Sequence, residues 1–286
     1  MTLISFLAIS TYLILIVGEV SFGQQAFFGI GAYTTAYLTS IFDYNLLTSL
    51  TIAIIITSTS SLILSLVIIR LSGLYFALAT LAFAELFRSC LNEVRVTIDT
   101  PKGITGPDGP EGFQNIRWVF NNNITPVLFC IICIVILLSV IISLLFLERT
   151  RHMKNARLIG KDTILAESLG INPVHYKIIF IAISGGIAGL GGGLFALNNT
   201  YIEPSMFGIM LGVHALAYTV IGGLGSPIGP LLGVIIDIGL LESIRFLSEY
   251  RMIIFGGVVA FVLIVFPEGL ISTKIITKVK MVLKRN

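Results

Sequence analysis

The sequence predicts an all-α fold, a polytopic bundle of helices in a membrane that includes broken helices. Hydrophobic residues make up 56% of the chain and charged residues only 12%, and the mean hydropathy is +0.98. A water-soluble globule carries about 25% charged residues. Long uncharged runs, such as residues 124–147, recur along the sequence. At about 20 residues per crossing, the chain has room for roughly eight or nine spans.

Nine apolar segments are the predicted spans, and residues 1–286 are predicted to form a single transmembrane domain. Periodicity and length define such segments better than they define their ends, which are soft by several residues. In chain order the segments are 2–17, 21–42, 46–69, 73–91, 124–147, 178–197, 210–221, 230–247 and 252–266.

The longest polar interruption, residues 148–177, contains more basic than acidic side chains. Short loops rich in Lys and Arg stay on the cytoplasmic side of a membrane, so this segment is predicted to be cytoplasmic. Strict alternation of the spans then places the turn-rich segment 92–123 outside and the basic tail 270–286 inside. The basic residues of the central segment are Arg149, Arg151, Lys154, Arg157, Lys161 and Lys177.

Within this polar segment, residues 162–170 predict one short helix. Asp162 is a good N-cap, Gly170 suits a left-handed stop, and Pro173 prevents continuation. Leu165 and Leu169 fall on one face of this helix. A helix this short is marginal in water, so either the membrane surface or another protein must hold it. An interfacial connector and a docking helix both fit the pattern.

Two predicted spans contain breaks of unusual composition. Residues 18–32 combine polar side chains with four glycines, and residues 220–233 combine five glycines with two prolines. Broken helices at membrane depth occur where backbone lines a cavity or is buried in protein, and they recur at transporter binding sites. The residues predicted to line a substrate pathway are therefore Glu19, Ser21, Gln24, Gln25, Phe28, Gly29, Gly222, Gly223 and Gly225.

Other candidate residues have a structural and a functional interpretation. Gly185, Gly189 and Gly192 or Gly193 leave one helical face bare, which predicts close helix packing rather than a loose hinge. Ionisable groups within spans are functional hypotheses by default, and Glu85 with Arg88 is spaced to pair on one helical face. A structural ion pair near the outer helix end is the favoured interpretation. Asp237 with Glu242 and the lone His214 are weaker candidates.

The sequence contains none of the common motifs for nucleotide, metal or nucleophile chemistry. It has no G-x-x-x-x-G-K-[S/T] motif, no nucleophile elbow and no paired-histidine metal motif. Cys130 and Cys133 lie in an apolar run without a second cysteine or histidine pair, so they are predicted to be core residues. The chain is therefore predicted not to be an enzyme and to hold no cofactor. Nothing in its charge distribution suggests nucleic acid as a partner.

Several stretches resemble, in order and spacing, the permease subunits of branched-chain amino-acid ABC transporters, specifically the M-type subunit. The resemblance runs from about residue 18 to residue 269. In the central segment, Ala166, Gly170 and the pair Asn172-Pro173 resemble the coupling loop of bacterial ABC importer permeases. The other stretches are GEVSFGQQAFFGIGAYTTAYL (18–38), GLYFALATLAFAELFR (73–88), ITGPDG (104–109), ILAESLGIN (164–172), VIGGLGSPIGPLLG (220–233) and FPEGL (266–270).

The resemblance implies half of a translocation pore in the cytoplasmic membrane of a prokaryote. It implies four kinds of partner: a homologous second permease, two ATP-binding subunits that bind the ATP, a soluble binding protein outside, and leucine, isoleucine, valine or related amino acids as cargo. The residues that it assigns to coupling are Leu165, Ala166, Glu167, Leu169 and Gly170.

Three alternatives stay open at this point. The same machine could carry urea, an amide or another small solute. An ion-coupled secondary transporter or channel would work without ATPase partners. A membrane-embedded enzyme is the weakest alternative, since the sequence offers no catalytic constellation.

Overall fold

The structure, a computed structural model, describes residues 1–100, 103–241, 251–266 and 269–271. Within these residues the fold is dominated by helices. The helices are, in chain order, α1 (Thr2–Ile16), α2 (Gln24–Ser40), α3 (Leu46–Ile68), α4 (Leu74–Glu93), α5 (Trp118–Asn121), α6 (Pro126–Glu148), α7 (Arg151–Lys161), α8 (Thr163–Ser168), α9 (Pro173–Asn199), α10 (Ile209–Gly222), α11 (Gly229–Val234) and α12 (Arg251–Val265).

The predicted all-α class is confirmed, and a helix begins in or beside every predicted apolar segment. Four helices, α3, α4, α6 and α9, are long and apolar enough to cross a membrane, whereas α1, α10 and α12 are shorter apolar helices. The predicted span 230–247 is helical as far as the structure describes it. There α11 continues into a π-helical segment, Ile235–Leu241, and residues 242–247 lie outside the described residues.

Helix α1 is the central element of the bundle. Residues 5–14 and Ile16 are all buried, so α1 has no face toward lipid or water along this length. A helix that is hydrophobic all round is stable where other helices surround it. Helices α6, α9, α10 and α11 all pack on α1, and α9 also packs on α2 and α3, so α9 connects the centre of the bundle to its edge.

Glycines on α9 allow this helix to approach both α2 and α3 closely. A Cβ added at Gly189 would lie 2.2 Å from Oγ1 of Thr57 on α3, and one added at Gly192 would lie 1.8 Å from the carbonyl oxygen of Phe28 on α2. Gly31 of α2 in turn faces Gly189, where an added Cβ would lie 2.1 Å from the Gly189 carbonyl oxygen. The sequence prediction of close packing along this glycine face is therefore confirmed.

One end of the bundle carries a small antiparallel sheet, formed by β1 (Ile98–Thr100), β2 (Gly103–Pro107) and β3 (Phe113–Gln114) in the order β1-β2-β3. The prediction of turns throughout 92–123 was therefore incomplete, because the backbone between the turns pairs in strands. Phe113 also exchanges backbone hydrogen bonds of 2.7 and 3.1 Å with Ile202. We call residues 92–123 and 198–209 the sheet face.

Hydrogen bonds at the opposite end join the polar segment 148–177 to the connections 17–23 and 221–229. The first connection is also bonded to Gly73, and the second to residues 269–271. We call these residues together the basic face. Strict alternation of the predicted spans puts one group of connections on each side of the membrane. The structure collects the same two groups, one in the sheet face and the other in the basic face. Which face lies inside the cell follows from the charge bias and stays a prediction.

We expect Gly192→Ala to destabilise the chain. The added methyl group would meet the Phe28 carbonyl, so α9 would have to move away from α2, and overpacking of this kind costs about 1–3 kcal/mol. The measurement is the melting temperature of the detergent-solubilised protein. The matched control is Gly256→Ala in α12, where an added Cβ meets no atom within 4 Å. Equal melting temperatures for the two variants would contradict the packing assignment.

We expect the basic face to be cytoplasmic. In a variant with Cys90, Cys130 and Cys133 replaced by serine, a cysteine at exposed Lys154 should be protected from an impermeant thiol reagent in intact cells. A cysteine at exposed Glu111 on the sheet face should react. Permeabilised cells supply the control, since both cysteines should then react. Labelling of Lys154→Cys in intact cells would reverse the assignment.

Candidate functional site

The basic face contains two consecutive helices where the sequence predicted one. The unpredicted helix, α7, is amphipathic: Met153, Ala156 and Ile159 are buried, whereas Arg151 and Lys154 are exposed. The spacing of three residues between its buried positions is that of one helical face. Helix α7 packs on α1, α6 and α9, so the bundle holds the helix from one side.

The predicted short helix is α8, and the prediction of how it begins and ends is confirmed. Oδ1 of Asp162 accepts a 2.9 Å hydrogen bond from the backbone N–H of Leu165. Gly170 has φ +77°, the left-handed conformation that glycine adopts without a steric penalty. Asn172 then caps α9 by accepting a 3.3 Å bond from His175 N–H. The chain therefore makes a sharp exit between α8 and α9.

The surface of α8 differs from the one expected from the sequence. Ala166 is fully buried within its own chain, where α8 packs on α7 and α9. Ile164 is 80% exposed, Leu165 48% and Leu169 64%, and Glu167 is also exposed. The expectation that Ala166 itself approaches a partner therefore needs correction. The side chains that α8 presents to its surroundings are the larger apolar ones.

Arg157 joins α7 to three other segments, namely the end of α6, helix α1 and the break at 221–229. Its Nη2 lies 2.7 Å from Oε1 of Glu148, at the end of α6, and donates a 2.9 Å hydrogen bond to the Tyr12 hydroxyl of α1. Nη1 donates a 2.5 Å bond to the carbonyl of Leu224, and Nη2 donates a 3.2 Å bond to that of Gly225. The Tyr12 hydroxyl also donates to Glu148 at 3.0 Å. A planar guanidinium with several donors suits this arrangement.

A second ion pair on the basic face joins the start of α9 to the connection 17–23. Nζ of Lys177, at the start of α9, pairs with Oε1 of Glu19, whose Oε2 accepts a 3.1 Å hydrogen bond from the N–H of Gly73. Glu19 is 3% exposed. Burial of a charge is costly unless it is paired and hydrogen-bonded, and both conditions hold here. Glu19, predicted to line a pathway, therefore fixes the connections between helices.

The glycine-rich break at 221–229 is held by backbone hydrogen bonds to residues 269–271. Gly225 N–H donates to the Ile271 carbonyl at 2.9 Å, and Ile271 N–H donates to the Gly222 carbonyl at 2.9 Å. Gly223 has φ +88° and Gly269 has φ +78°, conformations that an L side chain rarely adopts. The glycines of this break thus serve the backbone pairing of two chain segments.

A cavity of about 410 Å³ lies between α1, α7 and this break. Arg157 and Lys161 are the charged residues in its wall. The other lining residues are Leu15, Ile16, Gly160, Val220, Gly223, Leu224, Gly225 and Gly269. The cavity therefore adjoins Leu224 and Gly225, whose carbonyl groups Arg157 binds.

The remaining predicted pathway residues lie inside the chain. Ser21, Gln24, Gln25 and Phe28 are each at most 3% exposed. Gly29 is packed so that an added Cβ would lie 2.7 Å from the Phe87 ring. A side chain that lines a pore between two subunits must be exposed in one subunit alone. In this conformation these residues therefore do not form the surface of such a pore.

Gln24 and Gln25 nevertheless have unused hydrogen-bonding capacity. Oε1 of Gln24 accepts a 3.0 Å bond from Ser184, but within the described residues Nε2 of Gln24 and both amide atoms of Gln25 are buried without a partner. Gln25 lies against Gly212 of α10. A buried polar group without a partner costs about 1–3 kcal/mol, so these amides are candidates for contact with a polar solute or water.

The Glu85–Arg88 ion pair forms as the sequence predicted, with Nη2 of Arg88 2.7 Å from Oε2 of Glu85. Its position differs from the favoured interpretation. Glu85 is the twelfth of the 20 residues of α4, so it lies near the middle of the helix rather than at its end. Asp237, the other acidic candidate in a span, is buried and accepts a 2.6 Å hydrogen bond from Tyr218. Glu242 lies outside the described residues.

The sequence analysis missed the residues that tie the basic face together, including Tyr12, Arg157 and Lys177. One signal was available for Arg157, because it lies four residues after Met153 and thus beside the buried stripe of α7. In the described part of the chain, no group of three or more His, Cys, Asp or Glu residues is arranged so that it could hold a metal ion. His214 stacks on Tyr218, with ring centroids 6.0 Å apart.

Two curated proteins with assigned names match most of this chain. It is 30% identical over 274 residues to the high-affinity branched-chain amino acid transport system permease protein LivM of Salmonella typhimurium and to that of Escherichia coli. Each match covers 89% of this chain and 64% of the relative's length. The LivH permease protein of Escherichia coli is 29% identical over 174 residues, which is 58% of this chain and 56% of LivH. No solved structure gives a significant match.

The match to a family extends over nearly the whole described chain. Residues 1–265 fit the family described as "Branched-chain amino acid transport system / permease component". This range includes the basic face up to the break at 221–229, the glycine-packed helices and the sheet face. The chain therefore belongs to the family of branched-chain amino acid transport system permease components.

Proposed function

We propose that this chain is the permease subunit of an ATP-driven importer that moves leucine, isoleucine, valine and related neutral amino acids into a prokaryotic cell. The observation that carries this proposal is the family match over residues 1–265. Curated relatives named for high-affinity branched-chain amino acid transport support the choice of cargo. The four long apolar helices are consistent with a multi-pass protein of the cytoplasmic membrane.

The proposed importer has further subunits. The sequence has no G-x-x-x-x-G-K-[S/T] motif, so ATP binding and hydrolysis are assigned to two separate ATP-binding subunits on the basic face. A second, homologous permease supplies the other half of the translocation pore, as the existence of both LivM-named and LivH-named relatives suggests. A soluble binding protein delivers the amino acid to the sheet face.

Coupling is proposed to run through α8 and α7. The exposed side chains Ile164, Leu165 and Leu169 form an apolar surface on a helix of six residues, which suits a groove on an ATP-binding subunit. Helix α8 packs on α7. Arg157 of α7 binds the carbonyls of Leu224 and Gly225. A displacement of α8 would thus be transmitted to the glycine-rich break beside the cavity.

The function is tested by reconstitution. The chain, the second permease and the two ATP-binding subunits encoded beside it would be placed in proteoliposomes with the binding protein. The expected result is uptake of radiolabelled L-leucine that requires ATP and persists when ionophores remove all ion gradients. Uptake driven by an ion gradient without ATP would instead identify a secondary transporter. Preference for urea or an amide over leucine would change the proposed cargo, but the protein would still be a subunit of an ATP-driven importer.

We expect Ile164→Glu to impair docking of the ATP-binding subunits. The substitution places a charge in the proposed apolar contact, so co-purification of the ATP-binding subunits and leucine uptake should both fall about tenfold or more, which corresponds to about 1.4 kcal/mol. The matched control is Phe120→Glu, a similarly exposed apolar side chain on the sheet face, which should leave co-purification unchanged. Normal co-purification with Ile164→Glu would leave α8 as a surface connector.

We expect Arg157→Gln to uncouple ATP hydrolysis from transport. The variant loses the ion pair to Glu148 and shortens the reach to the carbonyls of Leu224 and Gly225, and each bond to a charged group contributes about 1.5–3 kcal/mol. The ATP-binding subunits should still co-purify, while leucine moved per ATP hydrolysed should fall severalfold. Lys154→Gln, on the exposed side of the same helix, is the control. An unchanged ratio for Arg157→Gln would remove this network from the coupling path.

A further inference from the structure

The depth of the Glu85–Arg88 pair in the bundle is unusual for two charged side chains. Helix α4 has 20 residues, about 30 Å at the helical rise, which matches the hydrocarbon core of a bilayer. Its first turn follows Gly73 of the basic face, and its last turn leads into the sheet face. Along the helix axis, Glu85 lies about 12 Å and Arg88 about 8 Å from the last residue of α4. If α4 spans the hydrocarbon core, the pair therefore lies inside it, in the half nearer the sheet face.

The pair is also accessible from outside the chain. The side chain of Glu85 is 30% exposed and that of Arg88 37% exposed. Charged side chains at the bilayer centre are costly in contact with lipid, and they almost always face protein or a water-filled cavity. This part of α4 is consequently unsuited to lipid.

Helix α6 shows what a lipid-facing helix of this bundle looks like. It contains no charged residue from Pro126 to residue 147. Its exposed side chains are uncharged and mostly apolar, such as Ile131, Val135 and Ile142, with Ser139 and Ser143 among them. The outward side of α4 differs, because the charged pair Glu85 and Arg88 is partly exposed there. The contrast indicates that the two helices meet different surroundings.

The hydrogen bonds of the pair leave one acceptor and one donor unused. Both Nε and Nη2 of Arg88 donate to the same oxygen, Oε2 of Glu85, at 3.0 and 2.7 Å. Within the described residues, Oε1 of Glu85 and Nη1 of Arg88 make no hydrogen bond. The pair thus has a carboxylate oxygen and a guanidinium nitrogen without a partner in the described residues, on a partly exposed side of the helix.

We propose that Glu85 and Arg88 bind the two charged ends of a zwitterionic amino acid during its passage through the membrane. The α-ammonium group donates to Oε1 of Glu85, and the α-carboxylate accepts from Nη1 of Arg88. This inference rests on the proposed function, because it specifies where the cargo of that importer is held. A zwitterion is complementary to the pair in charge, and it keeps the local sum of charges at zero.

The neighbouring side chains suit an aliphatic cargo. Leu78 and Ala82 lie on the same face of α4 as Glu85, seven and three residues before it. Leu78 is 52% exposed, and Ala82 is also exposed. A branched aliphatic side chain would bury apolar surface against them, which is stabilising. The site thus combines recognition of the charged ends with an apolar wall.

The test uses the assembled importer in proteoliposomes, with Glu85→Gln and Arg88→Gln as variants. Each should lower the maximal rate of leucine uptake, and leucine moved per ATP hydrolysed, about tenfold or more, because one charged contact to the cargo is lost. The ATP-binding subunits should co-purify as with the unaltered chain. Glu93→Gln, an exposed carboxylate at the outer end of the same helix, is the matched control and should transport normally.

The double variant Glu85→Arg with Arg88→Glu separates binding from a structural ion pair. It restores the pair in reversed order, so a structural role predicts recovery of uptake to near the unaltered rate. The binding role predicts a continued deficit, because a cargo turned to match the reversed charges loses its contact with Leu78 and Ala82. Recovery by the double variant, or normal uptake by both single variants, would overturn the inference.

The same experiment keeps this inference distinct from the proposed function. Failure of the unaltered importer to take up leucine with ATP would contradict the proposed function itself. Uptake by the unaltered importer together with unimpaired variants would contradict the inference alone. Loss of the second permease from the purified variants would assign the pair to the contact between subunits, and would overturn the binding role.

Discussion

The contacts of Arg157 are the constraint on which the basic face depends. One guanidinium group binds the carboxylate of Glu148, the hydroxyl of Tyr12 and the carbonyls at Leu224 and Gly225. Its partners come from the central helix, the end of a lipid-facing helix and a break in the backbone. Removal of one member of a partly buried ion pair leaves the other charge uncompensated. Such a group therefore fixes the relative position of all its partners at once.

The rest of the bundle is held by close packing rather than by charge. Helix α9 approaches α2 and α3 across bare glycine faces, where an added methyl group at Gly189 or Gly192 would overlap its neighbours. Close-packed interfaces shift between discrete arrangements and do not deform smoothly. The glycine-rich break adjoins the 410 Å³ cavity. In the proposed importer, motion started at α8 would be taken up at this break while α9 and its neighbours move as a unit.

The long helices differ in charge, which indicates that they have different surroundings. Helix α6 carries no charged side chain from residue 126 to residue 147, whereas α4 carries a partly exposed ion pair within its length. Residues predicted from polar composition alone, such as Gln24 and Gln25, are buried inside the chain. A polar residue in a span can thus be buried inside the chain or exposed on its surface. Depth along the helix and exposure together distinguish a structural contact from a position that a solute can reach.

The sequence by itself determined the long apolar helices, the stop of α8 at Gly170 and the close packing at Gly189. Each follows from local chemistry, namely an apolar run, a left-handed glycine or a face without side chains. Tertiary structure alone decided the burial of Ala166, the joining of α7 to the break by Arg157 and the partial exposure of Glu85. These features depend on which helices become neighbours and how deeply each one sits. An almost uniformly apolar sequence gives little information about either, because lipid and protein interiors favour the same side chains.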